Sequence, residues 1–135
     1  MSIRLSVPLL SVIVLSTGPT ASEPLPPTAK QATMEEFKAF ADGKTVEVVI
    51  FDLGVPAKAT LRWDWKKKRI TGEALINRKD RIEVDTRLSF KGDMACADQE
   101  GGERTCYLIF IDGDRFYEVR ADGGLHATST LKDRP

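Results

Sequence analysis

The chain has 135 residues, 41% of them hydrophobic and 30% charged, with 20 lysines and arginines against 20 acids. That length fits one domain, and a balanced charge argues against a dedicated nucleic-acid binder, whose footprint is a strongly basic face. The only histidine is His126, which excludes a multi-histidine metal centre or a His-dependent triad completed within one chain, and no residue pattern asks for a cofactor.

At the start of the chain Arg4 precedes an apolar run from Leu5 to Leu15, and the small residues Thr20, Ala21 and Ser22 come just before Glu23. This is the layout of a secretory signal peptide over residues 1–22. The run is about half of the roughly 20 apolar residues that a membrane-spanning helix needs. It therefore reads as a removed leader, leaving no transmembrane segment in the mature chain. Pro19 and the lack of a following cysteine leave lipoprotein attachment without an acceptor thiol. Without the leader, which holds Arg4 and no acid, 19 basic residues face 20 acids, a formal charge of −1. The expected location is the periplasm or the extracellular medium.

Residues 23–32 carry three prolines and no apolar period, and are expected to form an extended, mobile tether. A single β-rich domain over 33–135 follows. It opens with Thr33 and Glu36, spaced as a capping box, then Met34, Phe37, Phe40 and Ala41 at helical spacing, with Gly43 as the stop. The spacing predicts a short amphipathic helix over 33–42.

From Lys44 the period is two. Strands are predicted at 44–51, 57–65, 69–77, 81–91, 94–98, 104–111, 115–121 and 125–131. The clearest alternation sets Ile82, Val84, Thr86, Leu88 and Phe90 against Glu83, Asp85, Arg87, Ser89 and Lys91. Asp112-Gly113-Asp114 and Asp122-Gly123-Gly124 are tight-turn signals, while Gly54 and Pro56 mark a looser loop. Short connections without crossover helices imply an antiparallel meander. Its apolar face and its edges must be hidden. The predicted fold is a small up-and-down β-barrel, or a curled half-barrel, with the N-terminal helix as its lid; a two-sheet sandwich is the runner-up.

Cys96 and Cys106 are the only cysteines, and in an oxidising compartment they are expected to form a structural disulfide. Their spacing is not that of a redox Cys-x-x-Cys pair. Asp112, Asp114, Glu118 and Asp122 invite a calcium reading, but Phe116 stands where the next alternate ligand of a calcium loop belongs. Asp112-Gly113-Asp114 reads more simply as a hairpin turn. The pairs Glu83 with Asp85 and Asp114 with Glu118 read as solvated positions and not as a general acid and base. His126 shares a face with Thr128 and Thr130 on the period-two count, and reads as an ordinary surface histidine.

Two groups of residues are candidates for contact. Trp63, Trp65, Phe110 and Phe116 are expected to face inward, where they could line a ligand cavity. Lys66, Lys67, Lys68 and Arg69 form a basic turn beside the tryptophans, suited to anionic lipid or an acidic partner, although a hydrated hairpin turn is the simpler reading. The next basic turn, Asn77 to Arg81, should fall at the opposite end of a meander, so the two should not merge into one patch.

The segment from Phe90 to Cys96, then Cys106-Tyr107, then Asp112-Gly113-Asp114-Arg115-Phe116-Tyr117, resembles a family of small exported proteobacterial proteins classed as a domain of unknown function. The resemblance covers roughly residues 33–131 and implies a lipocalin-like fold. It departs at Trp63-Asp64-Trp65, where glycine-rich turns are expected, and it implies no activity, ligand or site residue. The functional expectation is an exported, non-enzymatic, monomeric β-barrel that binds a small apolar ligand or an envelope or extracellular protein. The alternative is a secreted inhibitor of a hydrolase, acting through the 97–105 disulfide loop or the N-terminal tether.

Overall fold

A computed structural model describes residues 25–98 and 103–132; the leader over 1–22, the first two tether residues and the tip of the disulfide loop lie outside the described residues. The alternation after Lys44 becomes eight consecutive antiparallel strands: β2 (Thr45–Ile50), β3 (Ala57–Asp64), β4 (Arg69–Ile76), β5 (Asp80–Lys91), β6 (Met94–Asp98), β7 (Arg104–Asp112), β8 (Arg115–Val119) and β9 (Leu125–Leu131). Each pairs with the next, and β9 returns to pair with β2, Val46 opposite Leu131 and Ile50 opposite Ala127. That last pairing closes an eight-stranded barrel, which leaves β2 and β9 without open edges.

Closure requires the sheet to coil, and Gly72 in β4 permits it. Its φ is 151°, and a Cβ at this position would overlap the Thr60 carbonyl oxygen on β3. Only glycine lets the two backbones approach this closely.

Helix α1 (Met34–Ala41) lies across one end of the barrel. Its capping box is complete: the Glu36 N–H donates to Thr33 Oγ1 (3.1 Å) and the Thr33 N–H donates to Glu36 Oε1 (2.8 Å). Both ends are tied to the turns beneath, Met34 N–H to Asp93 Oδ1 (3.2 Å) and Trp65 N–H to Asp42 Oδ1 (2.9 Å). The face carrying Phe37 and Ala41 is fully buried.

The segment before the helix departs from the mobile tether expected for 23–32. Over residues 25–32 it is docked as a strap: β1 (Lys30–Gln31) pairs with β7 at Ile111 and Phe110, and the Ala32 N–H donates to the Ile109 carbonyl oxygen at 2.8 Å. Leu25 and Ala29 pack on an outer cluster of Tyr117, Val119, Leu125, Leu108 and Phe110. Pro26 and Pro27 enter a turn closed by the Ala29 N–H donating to the Pro26 carbonyl oxygen (3.0 Å), and the unpaired stretch of β7 beyond the end of β6 and this apolar outer face give the strap a place to bind.

Candidate functional site

The two ends of the barrel differ. At the helix end Phe37 contacts Trp63, Trp65 and Phe116, with ring centroids 4.8–5.2 Å apart, and Trp65 stacks on Phe90 at 5.7 Å. Three of the four aromatics expected inside are thus brought together, as the packed floor beneath the helix. Phe110 is not. It faces outward, opposite Tyr117 on β8, where the strap covers it. The inward expectation fails because Tyr107 to Ile111 are all apolar or aromatic, so alternation cannot tell a covered outer face from the inner one.

The basic turn also lies at the helix end. Lys66, Lys67 and Lys68 are exposed, the Lys67 N–H is held by Asp64 Oδ1 at 2.9 Å, and the Arg69 Nε–H donates to Asp85 Oδ1 at 2.9 Å. The turn containing Asn77 and Arg78 is at the far end, as the meander requires. Cys96 and Cys106 face each other across β6 and β7 and are bonded. Outside the barrel, a groove of about 510 Å³ crosses β2 to β4. On this surface Arg81 and Glu73 are 3.1 Å apart, and Lys132 and Glu47 3.7 Å apart.

Away from the helix, the inner face of β5 becomes accessible. Ile82, Val84, Thr86 and Leu88 share the inner face of β5, because Ile82 is paired with the inward Ala74 and Leu88 with Ala97. Their exposure falls from 49% at Ile82, through the half-buried Val84 and Thr86, to 1% at Leu88. The inner face of β5 is thus packed into the core near the helix and accessible only toward the far rim. Ala59, Ala74 and Ala127 contribute small side chains to the core beside it.

A polar cluster lies where β7, β8 and β9 meet at this end of the barrel. Glu118 stands opposite Ile109 on β7 and Ala127 on β9, both buried, so it faces inward. The register then shifts between Glu118 and Val119, where Val119 pairs with Leu125 and His126 becomes the extra residue of a bulge. The bulge turns His126 off the solvent face: its side chain is 19% exposed, its ring stacks on Tyr107 at 4.2 Å, and its Nδ1 is 2.7 Å from Asp52 Oδ1. Arg120 donates from Nη1 to Asp52 (2.9 Å) and from Nε to Asp122 (3.2 Å).

Burial pushes the Glu118 carboxyl above the ordinary carboxylate range; His126 works against this and Asp52 adds to it. Burial likewise raises the Tyr107 phenol, helped by Glu118 and Asp52 and opposed by Arg120. Asp122 is held low by the Gly124 N–H and by Arg120. The cluster can therefore accept a proton or a cation at Glu118, while Asp52 orients the imidazole.

Two expectations are corrected here. His126 is not an ordinary surface residue, because a bulge that alternation does not reveal reverses its face. Glu118 faces the barrel interior and is half-buried, not a fully solvated position. The period-two count that points Phe116 inward points Glu118 inward as well, and that was the signal available for it. Tyr107 and Asp52 carry no spacing that marks them. Compared with known proteins, the chain matches no family model, no curated protein and no solved structure.

Proposed function

We propose that the chain is an exported, non-enzymatic binding barrel that admits a small, largely apolar ligand through the end opposite the helix. The exposure gradient along the inner face of β5 carries this reading, because side chains that filled the barrel would be buried along its whole length. The leader layout over 1–22 and the Cys96–Cys106 bond support export.

The reading is tested by titrating the mature, oxidised protein with the neutral dye Nile red. Saturable one-to-one binding is expected, weakened at least about tenfold by Val84→Trp, which blocks the accessible end of the inner face; a tenfold change corresponds to about 1.4 kcal/mol. Binding that never saturates, or that ignores Val84→Trp in a variant that keeps its cooperative unfolding, overturns it. Export is tested by the intact mass of the product recovered outside the inner membrane, expected to lack residues 1–22.

A further inference from the structure

Among the described residues, the large hydrophobic side chains left exposed are Val49, Leu53, Val55 and Ile82, and all four belong to the end of the barrel opposite the helix. Leu53, 50% exposed, and Val55 stand on the loop over 51–56 between β2 and β3, and Ile82 is at the neighbouring lip of β5. The loop is tied down at both ends. The Phe51 N–H donates to the His126 carbonyl oxygen (2.8 Å), and Asp52 is held by His126 and Arg120. The Asn77 N–H donates to the Pro56 carbonyl oxygen (2.7 Å), which joins the loop to the turn between β4 and β5. A clamped loop thus presents two apolar side chains to water, with no packing in return.

Cations gather beside them. Lys58, Arg78, Lys79 and Arg81 flank the loop and the turn, against Asp52, already engaged, and the exposed Asp80. Of the four cations only Arg81 has an ion-pair partner among the described residues, Glu73. Arg78 has a φ of 66°, following 54° at Asn77, in a turn closed by the Lys79 N–H and the Ile76 carbonyl oxygen. Glycine is the residue that suits such a position, so the turn holds a cation there against its own preference. Across the rim the disulfide loop carries Asp98 and Glu103, which confines the positive excess to the β2–β5 side.

We propose that this side of the rim docks on a bilayer surface containing anionic phospholipid. Leu53, Val55 and Ile82 enter the acyl boundary, and Lys58, Arg78 and Lys79 meet the headgroup phosphates. Apolar tips backed by cations match the order of layers met on entering a membrane. Three partly exposed side chains fall well short of the roughly 800 Å² that each partner buries in a standard protein interface, which disfavours a second copy as the occupant. The basic turn at the helix end has the charge without the tips, since Trp65 is packed into the floor. The docking requires no ligand inside the barrel.

The test is sedimentation of the mature, oxidised protein with vesicles of phosphatidylcholine, alone or with about one-third phosphatidylglycerol. Binding to the mixed vesicles is expected to be at least about tenfold tighter and to weaken as salt rises. Leu53→Asp should weaken it at least about tenfold. Arg78→Gly should weaken it about fivefold without lowering the melting temperature, because glycine suits the turn. Lys66→Gln, at the helix end, should leave it unchanged. Absence of binding, equal binding to both vesicle types, binding that survives Leu53→Asp in a variant with wild-type unfolding, or binding lost in Lys66→Gln overturns the proposal. So does a dimer in sedimentation velocity that Leu53→Asp disperses, which assigns the rim to a second copy.

Discussion

Glu118 shows how one side chain can work against the fold that holds it. Its carboxyl titrates above its unfolded value, so protonation is easier in the native state than in the unfolded chain. The contribution to stability is therefore fully present below the unfolded pKa and is lost as pH rises through the native one. Glu118→Gln should raise the melting temperature at neutral pH, with the gain vanishing about one pH unit below the unfolded carboxyl's pKa of about 4.3, where both states are protonated. Thermal melts of the two proteins across that range check the sign. Gly72 makes the opposite case, since its lack of a side chain is what the fold requires. Gly72→Ala places a methyl group against the Thr60 carbonyl in a backbone conformation that alanine avoids. It should cost about 3 kcal/mol in chemical denaturation.

Among the elements, α1 does the most with the fewest residues. Its eight residues are too few to be stable alone, and it persists because Phe37 is fully buried among Trp63, Trp65 and Phe116. Phe37→Ala should destabilise the protein by about 4 kcal/mol and alter tryptophan emission, as the floor loses the ring both indoles touch. This helix was legible from Thr33, Glu36 and the apolar spacing, and the strands from their alternation, because one wet face and one dry face leave a period in the sequence. β7 and β8 broke that rule. Leu108, Phe110, Tyr117 and Val119 make their outer face apolar too, for a strap whose proline-rich sequence suggests no docking. The polar cluster was hidden for a related reason: a one-residue bulge before Ala127 changes the face of His126 and leaves no mark in composition.

For the molecule as a whole, the strap makes the outer surface dependent on residues that precede the barrel. Removing residues 25–32 uncovers Phe110, Tyr117 and Leu125 together, a contiguous apolar patch of the kind that drives association. A chain starting at Thr33 should lose about 2 kcal/mol of stability and should self-associate as its concentration rises. Denaturant melts and analytical ultracentrifugation measure the two effects separately.

The seam between β2 and β9 also sets an order in time. It joins Val46 to Leu131, so the cylinder cannot shut until nearly the last strand has emerged. Until then a growing chain holds an open sheet with a bare edge at β2 and nothing to lay against it. Contacts this distant along the chain slow folding, because a long loop must be gathered before any of them forms. Under the export proposed above, that delay is an advantage: the same pairing that seals the finished molecule keeps the unfinished one threadable.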